Sequence, residues 1–165
     1  MDMQIRQLGL YLLLGLVFVL TACSKNLRET TLENPDASYR LVIAGDSSDF
    51  KDSIRERLVN NYKDICHIDV INLDKLAEID SRQYNAVLIM DTFMAWGGFN
   101  TEVKKFIDSQ PDNSKIIVFF SAGDEEATYS YNGVDAITSA SVPSEENAVV
   151  DELTQKIDLL LAEKK

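Results

Sequence analysis

The sequence predicts an α/β protein built on a five-stranded parallel sheet with helices on both faces. Short apolar runs rich in β-branched residues alternate with longer segments in which apolar residues recur every three or four positions. This alternation is typical of strands joined by helical crossovers, which make the strands parallel. Residues 86–90 are apolar throughout, as expected for a central strand covered on both faces. The length of 165 residues limits the chain to about one domain.

The first half of the domain contains two predicted strands with a helix between them. Residues 41–44 form an apolar run that stops at Gly45, and residues 66–71 form a second run of this kind. The segment between them predicts a helix that Ser48 or Asp49 caps. Its evidence is an apolar stripe with one residue at every fourth position, made of Phe50, Ile54, Leu58 and Tyr62.

The second half continues the same alternation. Residues 86–90, 116–120 and 134–140 predict three more strands, and residues 101–107 predict a helix between the first two of them. Pro143 begins a terminal helix. The apolar face of that helix consists of Val149, Leu153, Ile157, Leu160 and Leu161.

An apolar stretch near the N-terminus, residues 8–20, is interrupted only by two glycines. It is too short for a transmembrane helix, which needs about 20 apolar residues, and it fits the hydrophobic region of a signal peptide. It ends in Leu20-Thr21-Ala22-Cys23, which resembles the lipobox of bacterial lipoproteins. The resemblance implies a signal peptide at residues 1–22 and a lipid on Cys23. A plain signal peptide and an uncleaved anchor are the alternatives.

A lipid on Cys23 would anchor the protein to a membrane in the cell envelope, facing outside the cytoplasm. Two or more acyl chains are enough for stable attachment without a spanning helix. Residues 23–38 are polar, contain Pro35 and show no sustained period, so we expect a flexible tether. The folded domain is then residues 39–165.

Charge and residue usage exclude several functions. With 27 acidic and 16 basic side chains and a net charge of -11, the chain would repel nucleic acids. Cys66 is the only cysteine left after lipidation of Cys23, and its apolar neighbours predict a small buried side chain. His67 is the only histidine and lies in a predicted strand, which argues against a zinc site or a Ser-His-Asp triad.

Three segments resemble the cofactor loops of flavodoxins. Residues 43–51 match the position of the phosphate loop between the first strand and helix. Residues 84–98, followed by 102–107, resemble the apolar strand, the aromatic and glycine-containing flavin loop and the next helix. Residues 115–124 are similar to the strand and Gly-Asp turn beside the isoalloxazine ring. The resemblance covers residues 39–163 and implies a flavodoxin-like sandwich with the strand order 2-1-3-4-5.

The resemblance also implies FMN as the cofactor and assigns residues to it. Trp96, the only tryptophan, would provide a stacking platform for the flavin ring, and Tyr129 or Tyr131 would cover its other face. The implied cofactor-binding residues are Gly45, Asp46, Ser47 and Ser48 in the first loop, Thr92, Phe93, Trp96, Gly97 and Gly98 in the second, and Gly123, Asp124 and Tyr129 in the third.

The first loop departs from the family pattern. Asp49 stands at the position of the family's glycine, Lys51 at that of its last hydroxyl residue, and Asp46 adds a second carboxylate. Each carboxylate would repel a phosphate dianion by about 1 kcal/mol, depending on screening. The alternative interpretation is that Ser48 and Asp49 are helix caps without any phosphate.

Two functions therefore remain open. The first is a membrane-anchored FMN protein that transfers electrons to a redox partner outside the cytoplasm. The second is a cofactor-free binding or scaffolding module for an envelope partner. A flavin reductase that uses NAD(P)H would need a basic cluster for the nicotinamide phosphate, which the sequence lacks. We expect an electron carrier or a non-enzymatic module rather than a catalyst.

Overall fold

The computed structural model describes residues 26–93, 98–121 and 129–163, which build a seven-stranded mixed sheet with helices on both faces. The strands are β1 (Thr30–Leu32), β2 (Tyr39–Gly45), β3 (Cys66–Asn72), β4 (Ala86–Thr92), β5 (Ile116–Ser121), β6 (Tyr129–Tyr131) and β7 (Val134–Ser139). The α-helices are α1 (Asp49–Tyr62), α2 (Thr101–Ser109) and α3 (Glu146–Ala162). Three 3₁₀-helices lie at Leu73–Glu78, Ser81–Gln83 and Pro143–Glu145.

The structure confirms the predicted α/β class, whereas the prediction of a five-stranded, fully parallel sheet is wrong. The described strands lie in the order β1-β3-β2-β4-β5-β7-β6. The edge strands β1 and β6 run antiparallel to their neighbours. The other five are parallel and follow one another as β3-β2-β4-β5-β7. The whole sheet differs from the prediction in strand number and order because two three-residue segments pair with its edges.

The edge strand β1 lies inside the segment 23–38, which the sequence predicted to be a flexible tether. Leu27 is buried, and its N–H donates a hydrogen bond of 2.8 Å to the Asn72 side-chain oxygen. β1 itself pairs with β3 from Thr30 to Leu32. The tether prediction is therefore wrong for this part of the segment. Its sequence carried no signal, because three residues are too few to show the alternation of a strand.

The other edge strand, β6, forms a hairpin with β7. The two residues of the turn, Asn132 and Gly133, have φ values of 47° and 79°. Positive φ at both positions is the requirement of the turn that fits a two-residue hairpin, and Asn-Gly is a favoured pair for it. The strand predicted over 134–140 is present as β7, whereas its partner β6 was not predicted, because it is only three residues long.

The helices cover the two faces of the sheet unequally. α1 and α3 pack on one face, where the apolar stripe predicted for α1 is buried together with Val149, Leu153 and Ile157 of α3. α2 and the 3₁₀-helix at Leu73–Glu78 cover the other face. Alternate residues of β2 enter the two cores, which is why the central strands are apolar at every position. In the described ranges, none of the helices is apolar over a length that would cross a membrane.

Cys66 has the structural role that the sequence predicted. It is a free cysteine and is fully buried, and burial raises the pKa of its thiol to about 11. A thiol with such a high pKa is almost entirely protonated at neutral pH, so it is a poor nucleophile. The neighbouring His67 faces Asp69 on β3 at 3.5 Å.

Candidate functional site

A cleft opens at the carboxyl end of β2, where the order of the parallel strands along the chain reverses. β3 lies on one side of β2 and β4 on the other, which creates a switch point between the strand ends. The cleft has a volume of about 480 Å³. Its lining includes four carboxyl side chains and no Lys, Arg or His among the described residues. The carboxyl groups belong to Asp46, Asp74, Asp91 and Glu102, and the neutral polar side chains include Asn72, Thr92 and Asn100.

The structure brings part of the predicted FMN site to this cleft. Gly45, Asp46 and Thr92 line it, whereas Ser47 and Ser48 lie in the loop just before α1. Three more residues of the predicted FMN site lie in the described part of the chain but do not line the cleft, namely Phe93, Gly98 and Tyr129. The other predicted residues lie outside the described part: Trp96, Gly97, Gly123, Asp124 and the lipidation residue Cys23.

The hydroxyl groups of the loop between β2 and α1 are occupied by partners within the chain. The Ser48 hydroxyl accepts a hydrogen bond of 3.3 Å from the Lys51 N–H and caps α1, as predicted, whereas Asp49, the other predicted cap, is the first residue of the helix. The Ser47 hydroxyl donates a hydrogen bond of 2.6 Å to the Asp52 carboxylate. Asp52 also forms an ion pair with Arg55. These contacts stabilise the first turn of α1.

Lys51 is the most deeply buried charged side chain of the site, with only 1% of it exposed. Its ammonium forms an ion pair with Asp46 and donates a hydrogen bond of 2.6 Å to the Thr92 hydroxyl. The Thr92 hydroxyl in turn donates a hydrogen bond of 3.2 Å to the other carboxylate oxygen of Asp46. The three side chains form a closed network that ties α1 to the ends of β2 and β4.

Gly45 is needed for close contact between β2 and β4. A Cβ atom at this position would lie 2.9 Å from the Met90 carbonyl oxygen and 3.3 Å from the Met90 Cβ. Gly45 and Met90 are also partners in the register of the two strands. The absence of a side chain at Gly45 is therefore explained by strand packing, without any contact to a phosphate.

Asp91 lies directly after the apolar run of β4 and is 5% exposed. Its Oδ1 accepts a hydrogen bond of 2.7 Å from the Thr92 N–H, while its Oδ2 is buried without a hydrogen-bond partner among the described residues. Burial raises the pKa of the Asp91 carboxyl, and the Asp46 carboxylate adds to this effect. The Thr92 N–H, the Lys51 ammonium and the Asn100 side chain oppose it. Asp91 was not among the predicted site residues, although an acid at the end of the most apolar strand is a usable signal.

Aromatic side chains fill the space beside the end of β4 and β5. The rings of Phe93 and Tyr129 lie 4.3 Å apart between centroids, and both contact Phe120. Phe99 packs edge-on against Phe120 at 5.0 Å and lies 5.7 Å from Tyr131. Tyr129 and Tyr131, which were expected to cover a flavin, therefore pack against aromatic residues of the chain itself.

The side chains of the first loop offer little to an FMN phosphate. A phosphate dianion needs N–H, hydroxyl or cationic groups that are free to bind it. The Ser47 and Ser48 hydroxyls and the Lys51 ammonium all have partners within the chain. In the adjoining cleft, Asp46 and Glu102 are paired with lysines, while Asp74 and Asp91 add negative charge that would repel the dianion. The flavin ring is a separate matter, because Trp96 and Asp124 lie outside the described residues.

Comparisons with known proteins leave this site to be interpreted from its own geometry. No family model matches the chain, and no curated protein matches it closely enough to count as a relative. A split-gene transketolase, solved as an inactive beta4 tetramer, has a TM-score of 0.36 and 12% sequence identity to this chain. The match covers 82% of this chain, which spans only 41% of the length of the transketolase chain. This likeness is too weak to support a function.

Proposed function

We propose that the protein is a lipid-anchored binding module of the cell envelope, with a flavodoxin-like fold that works without a flavin. The order β3-β2-β4-β5-β7 of its parallel strands and the helices on both faces support the flavodoxin-like assignment. One observation carries the cofactor-free assignment. The buried Lys51 ammonium binds Asp46 and Thr92, and so closes the loop in which a flavin phosphate would have to bind.

The cleft at the switch point is the binding surface in this proposal. It is concave, lies at the carboxyl ends of β2, β3 and β4, and carries an excess of negative charge. The lipobox-like sequence ending at Cys23 supports attachment to a membrane with the domain outside the cytoplasm. A module of this kind presents the cleft to a soluble or envelope-bound ligand and needs no catalytic group.

A flavin titration tests the proposal. The full chain, purified in a non-ionic detergent, is mixed with FMN or riboflavin, and quenching of flavin fluorescence is followed up to high micromolar protein. We expect a colourless protein that quenches neither flavin. A known flavodoxin in the same detergent is the positive control. Saturable quenching at low micromolar protein would contradict the proposal.

Flavin binding with electron transfer stays a prediction of the sequence resemblance. The same titration distinguishes binding through the FMN phosphate from binding through the flavin ring alone. A strong preference for FMN over riboflavin would mean that the β2–α1 loop opens to bind the phosphate. Equal binding of both flavins would mean that only the ring is recognised, through residues such as Trp96. Either result would restore an electron carrier as the better description.

A further inference from the structure

The acidic cleft contains a buried oxygen that lacks a partner. Asp91 lines the cleft, is 5% exposed, and leaves its Oδ2 without a hydrogen bond among the described residues. Buried polar atoms nearly always have a partner, and a buried carboxylate oxygen without one is costly. The Asn100 side chain caps α2 through its oxygen and lowers the pKa of Asp91 a little, but it does not reach hydrogen-bond geometry with this Oδ2. A ligand that binds in the cleft beside Asp91 would supply the missing partner.

A second carboxylate lies beside Asp91. Gly45 and Met90 are paired in the parallel register of β2 and β4, and Asp46 and Asp91 are the residues that follow them. Adjacent strands lie about 4.8 Å apart, so the two acids meet at the same edge of the sheet. Lys51 and Thr92 together bind both oxygens of Asp46 but carry only one positive charge. Glu102 is paired with Lys105 at 3.2 Å, so Asp91 and Asp74 carry the remaining negative charge that lines the cleft.

We propose that Asp91, assisted by Asp46, binds a hydrated divalent cation of the Mg²⁺ type in this cleft. This inference rests on the proposed function, since it names the ligand of the same cleft. The polar atoms that the lining side chains offer are oxygens and amide nitrogens, and hard cations prefer oxygen. In the described ranges, no group of three or more His, Cys, Asp or Glu side chains is arranged to hold a metal ion. That excludes a site made only of such side chains there and leaves the Mg²⁺ mode, in which one or two carboxylates suffice and waters complete the octahedron.

The cleft has room for such a hydrated ion. Its volume of about 480 Å³ exceeds the space of an ion with its remaining waters, each of which takes about 30 Å³. The neutral side chains Asn72, Thr92 and Asn100 line the same space and offer hydrogen-bonding groups to those waters. The ion would supply the partner that the Asp91 Oδ2 lacks and offset the repulsion between Asp91 and Asp46.

Mn²⁺ is a suitable probe, because its free form has an electron paramagnetic resonance signal that is lost on binding. The full chain in non-ionic detergent, stripped with a chelator, is titrated with Mn²⁺ and then with Mg²⁺. We expect one Mn²⁺ per chain and its displacement by Mg²⁺. Asp91→Asn should weaken Mn²⁺ binding by about tenfold or more, as expected when a charged ligand is lost.

The matched control is Asp135→Asn, which removes the same charge from an exposed position of β7. It should change the affinity for Mn²⁺ by less than about twofold, because Asp135 does not line the cleft and salt screens exposed charges. Equal weakening by both variants would show that the net charge of -11 merely attracts cations, and would overturn the site. Absence of Mn²⁺ binding at low millimolar concentration would also overturn it. Neither result bears on the flavin titration, which tests the proposed function separately.

Discussion

The Lys51 ammonium donates a hydrogen bond of 2.6 Å to the Thr92 hydroxyl, although the two residues are 41 positions apart in the chain. Lys51 belongs to the first turn of α1, and Thr92 is the last residue of β4. The bond therefore fixes the start of a helix to the end of a central strand. Together with the ion pair to Asp46, it determines the shape and charge of one wall of the cleft.

Lys51→Met should destabilise the protein by about 3 kcal/mol. The variant keeps the length of the side chain and removes its charge, so Asp46 loses its ion-pair partner at a site where the Lys51 side chain is only 1% exposed. Urea unfolding at neutral pH, followed by circular dichroism, measures the loss. Lys105→Met is the matched control, because Lys105 pairs with Glu102 at the surface with 68% of its side chain exposed. We expect that control to change stability by less than about 0.5 kcal/mol, and equal losses would contradict the role given to Lys51.

Asp91→Asn should stabilise the metal-free protein by about 1 kcal/mol at pH 7 and have little effect at pH 4. Burial raises the pKa of Asp91 in the folded state, so the protonated form favours folding. The stability that protonated Asp91 contributes is fully present below the pKa of about 4 in the unfolded chain. It is lost as the pH rises through the higher pKa of Asp91 in the folded protein. Urea midpoints of both proteins at several pH values, with a chelator present, check this. A difference that is constant across pH would contradict the buried carboxylate as its cause.

Gly45→Ala should cost about 1 to 3 kcal/mol of stability. The new Cβ would lie 2.9 Å from the Met90 carbonyl oxygen, so β2 and β4 must move apart. Thermal unfolding of the variant measures the cost. Gly133→Asn is the control, because nothing lies within 4 Å of a Cβ there and the φ of 79° leaves only a backbone strain that asparagine bears better than most side chains. The larger side chain should have the smaller effect, and the reverse order would show that strand contact at Gly45 is not limiting.

Cys23→Ala should leave an unprocessed precursor without lipid in a bacterial host. The lipobox interpretation requires the Cys23 sulfur for acylation, and alanine offers no such group. Gel mobility and incorporation of radiolabelled fatty acid measure processing and acylation. Ser24→Ala, one residue further along the chain, should mature and take up label like the wild type. Normal maturation of Cys23→Ala together with an unlabelled wild type would refute the lipid anchor.

The long elements of the fold could be predicted because their signal is repeated along the chain. Four apolar residues at four-residue spacing from Phe50 to Tyr62 predicted α1, and all four are buried in the structure. The short edge strands left no such signal in the hydrophobic pattern. The Asn132-Gly133 dipeptide is a hairpin signal, and together with the strand that follows it this dipeptide indicates β6.

The site shows the same division between local and long-range information. Ser48 was predicted as a helix cap from its position alone, because a cap bonds to an N–H only three residues away. The partners of Lys51 were not predictable in this way, since Thr92 comes from another strand. Phe93 and Tyr129 were assigned to a flavin from their order in the chain, whereas in the structure they pack against each other.

The sequence by itself determined the α/β class, the positions of the long strands and helices, and the strongly acidic charge. These properties depend on neighbouring residues and on composition, which folding does not change. Only the tertiary structure decided that the loop after β2 is closed by Lys51, Asp46 and Thr92, and that Asp91 keeps a buried oxygen without a partner. The reason is that parallel strands bring together residues far apart in the chain, and burial then sets which charges are paired and which face a ligand.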